Sequence, residues 1–147
     1  MATISGGDKL EAALKGLAAK VTTAKQVEIG FLAGATAADG QSIPLRAALN
    51  EFGVPSRNQP PRPFFRNMIA AKSPEWPAAV GQTLKAANMD AAKALDLAGQ
   101  AISGQLVQSI VGFRDPPLAA STIARKGFDK PLIDTGDMSR GVNHRVD

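Results

Sequence analysis

The chain has 147 residues, a net charge of +4, a sequence pI of about 9.7 and no cysteine. That length suits one domain able to bury a core, and the absence of cysteine excludes disulfide staples and thiolate zinc sites. The charge is mild and mixed in sign, far from the dense basic stripe of a dedicated nucleic-acid binder. The segment Met1–Gly7 is too polar for a secretory signal, and no apolar run approaches the roughly 18 residues that span a bilayer. A soluble protein made in the cytoplasm, with no membrane partner, is therefore expected. Aromatic residues are only 5% of the chain and alanine dominates the apolar set, which favours closely packed helices.

In chain order, Ser5 reads as an N-cap with an acid, Asp8, three residues on. Leu10, Leu14, Leu17 and Val21 then recur at helical spacing. Val27, Ile29 and Phe31 alternate with polar or small residues and read as a half-buried strand. Gly34–Gly40 is small and flexible in composition and reads as a mobile loop. Ser42 caps a helix over 43–52, with Pro44 in its first turn and Leu45, Leu49 and Phe52 on one face. A helix over 64–72 follows. Ser73 is then the expected cap of another helix that reaches about Ala87, with Trp76 as a packing anchor.

Asp90 opens the longest periodic stretch. Leu95, Ala98, Ile102, Leu106, Ile110 and Phe113 hold one apolar face, predicting a spine helix of about 24 residues and about 36 Å. Gly99 and Gly104 each cost such a helix about 1 kcal/mol relative to alanine. Their presence suggests close approach by another element or subunit, or simple tolerance. Asp115-Pro116-Pro117 ends the spine. A short helix over 119–126 stops at Gly127, Gly127–Pro131 is an exposed loop, and Asp134 caps a last turn through Met138. Val142, His144 and Val146 alternate as a terminal strand that can pair with 27–31. Two strands alone are marginal, so a third is expected, from around the loop or arm or from another subunit. The predicted class is α+β: one helix-rich domain over 1–147, with the spine helix packed across a small antiparallel sheet and an extended proline-rich arm at 53–63.

That arm is the most distinctive stretch. Four of the ten prolines and three of the six phenylalanines lie between Asn50 and Arg66. Proline restricts its own φ and biases the preceding residue towards extended backbone. Gly53 suits a helix stop with positive φ, and Pro63 suits the first turn of the next helix. The arm is therefore expected to be stiff and extended, and stiff segments lose little entropy on docking. Arg57, Pro60, Pro61, Arg62, Pro63, Phe64, Phe65 and Arg66 form the candidate interface, since aromatic residues beside arginines are the chemistry of binding hot spots. Phe64 and Phe65 can equally be read as core.

Catalytic chemistry finds little support. His144 is the single histidine, and no serine stands in a nucleophile-elbow setting to partner it. Asp129, Asp134 and Asp137 lack the ligand spacing of a calcium loop. Glu51 and Glu75 show no pattern that sets two carboxylates across a cleft for glycoside hydrolysis. No enzyme activity, catalytic residue, cofactor or metal is predicted.

Asn50-Glu51-Phe52-Gly53, then Pro60-Pro61-Arg62-Pro63-Phe64-Phe65-Arg66, then Pro117–Lys126 and Pro131–Met138 occur in an order and spacing that resemble a family of tailed-bacteriophage morphogenesis proteins. These are the small neck, or tail-completion, proteins of the head–tail junction. The resemblance spans roughly residues 25 to 147. It implies a structural virion protein, synthesised in the bacterial host cytoplasm, that forms a six- or twelvefold ring of identical copies and joins the portal or adaptor side of the capsid to the tail. Its partners would be itself and adjacent connector or tail proteins. The alternative is a DNA-contacting channel or packaging-associated module, in which the same arginines touch the phosphates of the passing genome.

Overall fold

The computed structural model describes residues 6–132 and 136–147. The expected caps Ser5 and Asp134 lie outside these residues. Helix α1 (Gly7–Val21) leads into strand β1 (Val27–Phe31), α2 (Ile43–Phe52), α3 (Phe64–Lys72), α4 (Trp76–Ala86) and α5 (Ala91–Gly112), and then α6 (Ala120–Lys126), α7 (Asp137–Arg140) and β2 (Val142–Val146). The class is α+β, as the patterning predicts: mostly helical, with a long helix against a small antiparallel sheet.

The spine is α5. Asp90 caps it by accepting a hydrogen bond from Lys93 N at 3.2 Å, and that bond is the main cause holding the Asp90 carboxyl below its ordinary value. Thr23 ties the end of α1 to the same place, donating to Asp90 Oδ1 at 3.2 Å and accepting from Ala92 N at 3.0 Å. Ala94, Ala98, Ile102, Leu106 and Ile110 form the buried face of α5. Leu106 and Ile110 reach a core completed by Ile43, Ala47, Phe64, Met68, Phe113, Leu132 and Met138.

The two strands pair antiparallel with Val27 opposite Val146, Ile29 opposite His144 and Phe31 opposite Val142. Side chains directly opposite share a face, so these six form the side that α5 covers. Glu28 and Arg145 form a cross-strand ion pair at 2.9 Å on the other side. Among the described residues the sheet has two strands, and the expected third is not there. The close approach of α5 takes its place. A Cβ on Gly99 would lie 2.5 Å from His144 Cδ2 and 2.8 Å from Val27 Cγ2, so only glycine lets the helix sit this near the sheet. His144 Nε2 also meets Asp96 Oδ1 at 2.8 Å, which holds the Asp96 carboxyl below its ordinary value. The histidine thus clasps sheet to helix. At Gly104 nothing among the described residues lies within 4 Å of the Cβ position, so no packing within the chain requires a glycine there.

Three further details differ from the sequence reading. Residues 34–40 form a fastened turn: Ala37 is buried and its amide donates to Gln41 O at 2.8 Å, while Asp39 pairs with Arg46 at 2.7 Å. Ser73 makes no side-chain cap, because the chain passes from α3 to α4 through a 3-10 turn at Ser73–Glu75. Trp76 does act as an anchor, packing on the core and donating from Nε1 to Gln105 Oε1 at 2.9 Å. Helix α1 buries none of its residues.

One chemical change at the two spine glycines should have opposite signs. Gly99→Ala should lower stability by about 1–3 kcal/mol through overpacking against His144 and Val27. Gly104→Ala should raise it by about 0.5–1 kcal/mol through helix propensity. Urea midpoints of the two variants check the pair.

Candidate interface surface

The surface is built from the end of α2, the loop after it and the start of α3. Ser42 caps α2, accepting from Leu45 N at 3.3 Å. At the far end Gly53 has φ +74°, and a Cβ there would come within 2.7 Å of Pro61 N and 2.8 Å of Gln59 O. A glycine is needed both for the angle and for the space. The chain then turns sharply. Pro55–Arg57 is a 3-10 turn, Asn58 adopts a left-handed conformation at φ +51°, and Val54 and Gln59 exchange backbone hydrogen bonds of 2.9 and 3.1 Å. Arg62 N donates to Asn50 O at 2.7 Å. Pro63, at φ −77° and ψ 60°, forms an inverse γ-turn closed by Phe64 N donating to Arg62 O at 2.7 Å.

The proline segment is therefore a closed loop folded back on α2, and the expectation of a projecting arm is corrected. Proline restricts φ without preventing reversal where glycine and asparagine supply positive angles, as Gly53 and Asn58 do here.

Glu51 holds the return in place. It is buried, with 6% of its surface exposed. Its carboxylate accepts from Phe65 N at 3.0 Å, Arg66 N at 3.2 Å and Arg66 Nε at 2.7 Å. Exposed amides at a helix N-terminus carry partial positive charge, so this acid from α2 caps α3 across the loop. In the sequence Glu51 stands out only as a carboxylate without a catalytic pair and as part of the Asn50–Gly53 motif. Its true partner amides lie 14 and 15 residues away, outside any local capping pattern.

The candidate residues separate into two groups. Phe64 is 1% exposed and central to the core; its ring meets Phe31 edge-on at 6.4 Å, and its carbonyl accepts from Ser109 Oγ at 2.7 Å. It cannot fill a partner's pocket, and that expectation is corrected: the Glu51 clamp rotates the start of α3 so that this side chain points inward. Arg62 is also buried, and its Nε has no hydrogen-bond partner among the described residues. Desolvation pulls its pKa below the ordinary arginine value. Arg57, Pro60, Pro61 and Arg66 are exposed, and Pro63 and Phe65 are half-buried.

The exposed part continues into α2, where the face shared by Leu45, Leu49 and Phe52 points outward. Leu45 is 58% and Phe52 64% exposed, while Ile43, Ala47 and Glu51 face the interior. Arg66 lies over the Phe52 ring, 5.2 Å from its centroid. Beside this ridge runs an open groove of about 330 Å³, walled by Phe31, Pro44, Ala48, Phe52 and Phe65 with Glu51 and Arg66 as its charged members. It offers apolar contact and little hydrogen bonding. Among the described residues no group of three or more histidine, aspartate or glutamate side chains gathers as a metal site, and no helix is long and apolar enough to cross a membrane.

Phe64→Ala should cost about 3–5 kcal/mol as a core cavity, whereas Phe52→Ala should cost less than about 1 kcal/mol; thermal unfolding of both variants separates core from surface. Arg62→Met keeps the apolar stem and removes a buried charge with an unsatisfied Nε, so it should stabilise the isolated chain by about 1 kcal/mol. A fall in its denaturant midpoint would contradict that reading.

Compared with protein-family models, curated proteins and solved structures, the chain gives no match.

Proposed function

We propose that this protein is a non-enzymatic structural component of a tailed-bacteriophage particle, a neck or tail-completion subunit that forms a ring of identical copies between head and tail. The observation that carries the reading is the uncovered apolar ridge and groove of α2 and α3, with Phe52 64% exposed beside Arg66. Glu51, Phe52, Phe65 and Arg66 at this surface belong to the motifs on which the resemblance to neck proteins rests. An apolar patch rimmed by charge on a small protein marks a contact surface. Arginine and aromatic side chains at its edge supply the anchoring chemistry.

In this reading Phe52, Phe65, Arg57 and Arg66 meet the neighbouring copy or the adjacent ring. Phe64 and Glu51 hold those residues at a fixed angle from beneath. Arg62, being buried, lies beneath this surface with them and is not available to a partner's carboxylate. Ring contacts are heterologous, so each copy presents two different faces.

Particles assembled without this chain should contain filled heads and finished tails that fail to join, and adding the purified protein should restore joining. Phe52→Asp should fold normally yet restore less than about a tenth of it, as expected for a lost anchor worth more than about 1.4 kcal/mol. A protein that stays monomeric at every concentration and is absent from purified particles would overturn the proposal.

Contact with DNA is the second reading. It is favoured by the +4 charge and by Arg57, an exposed cation with no ion pair among the described residues. It predicts weak binding to duplex DNA whose log affinity falls with log salt at a slope of about −0.9 for each phosphate neutralised. Binding with no salt dependence, or no binding at low salt, would exclude it.

A further inference from the structure

The molecule carries a second uncovered apolar face, on α1. Leu10 and Leu14 are 62% and 56% exposed, and Leu17 and Val21 continue the same stripe. No residue of this 15-residue helix is buried. An amphipathic helix in water keeps its apolar stripe in contact with something, and among the described residues nothing covers this one.

The stripes on α1 and α2 have the same spacing. Leu10, Leu14 and Leu17 stand at i, i+4 and i+7, as do Leu45, Leu49 and Phe52. Two helices with that spacing pack by setting the side chains of one between those of the other. Ala13 and Ala18 flank the stripe on α1, and Ala48 and Pro44 lie beside the stripe on α2, so both backbones allow close approach. Within one chain the two faces stand apart. The end of α1 is tied to Asp90, ahead of Val27, whereas Gly30 and Phe31 at the other end of β1 line the groove, and β1 separates these ends by about 13 Å.

We propose that α1 of one copy lies along the α2 ridge and in the groove beside Phe52 of the next copy. The inference rests on the ring reading above and names its contact. One repeated heterologous contact covers both faces on every copy, and a closed ring leaves neither exposed. A helix about 22 Å long and 10 Å across laid in such a groove buries on the order of 1,000 Å² in total, at the lower bound for a specific interface. A single contact is therefore weak. Copies held on both sides in a closed ring are stable, so assembly should be steeply concentration-dependent.

The chain has no cysteine, so introduced thiols report without background. Leu14→Cys and Ala48→Cys, placed on separate copies and mixed at high concentration under mild oxidation, should cross-link to each other in preference to either with itself. Dominant Leu14→Cys self-cross-links would mean α1 pairs with α1, and would overturn the proposal. Leu14→Asp should unfold at nearly the wild-type temperature, since the side chain is already exposed, and should raise the concentration for half-assembly by at least about tenfold. Unchanged assembly of Leu14→Asp would overturn the α1 contact while leaving the ring intact. A wild-type chain that never assembles and is missing from purified particles would remove the ring itself.

Discussion

The buried carboxylate of Glu51 is the interaction on which the shape of this surface depends. It accepts three hydrogen bonds from the first turn of α3 and from Arg66. Charge-assisted bonds of this kind contribute about 1.5–3 kcal/mol each when buried. By capping a helix that begins 13 residues later in the chain, Glu51 closes the proline loop, aims Phe64 into the core and leaves Phe65 at the rim. The loop's own stiffness then works for the fold. Four prolines reduce the entropy lost on closing it, and Gly53 and Asn58 supply the positive φ angles at its corners.

A second constraint acts where the spine helix crosses the sheet. A two-stranded sheet has too few ladder bonds to stand alone. Here it is held by a helix that comes close because residue 99 has no side chain. His144 fills the space beside that glycine and bonds to Asp96. The lone histidine therefore has a packing role with a polar tether.

Both constraints leave apolar material outside. The core takes Ile43 and Ala47 of α2 and leaves Leu45, Leu49 and Phe52, on the other side of the helix, exposed. It takes nothing from α1. The two leucine-rich stripes left outside are what the proposed association would cover. The buried Glu51 carboxylate is taken up by two backbone amides and the Arg66 guanidinium.

Local pattern was enough to determine the helices, the strands and much of their pairing. Leu106 and Ile110 fall on the spine because the 3.6-residue period is a local property of the backbone. The alternation of Val27–Phe31 and Val142–Val146 marks strands for the same reason, and Ser42 and Asp90 cap the helices they precede. Periodicity says which residues share a face, however, and does not say what that face meets. Only the tertiary structure decided that the Leu45–Phe52 face of α2 points outward, that Phe64 and Phe65 part company across the core boundary, and that the proline segment turns back. Each of those outcomes depends on partners far away in sequence: Glu51 with the amides of α3, Phe64 with Phe31, and Gly99 with His144.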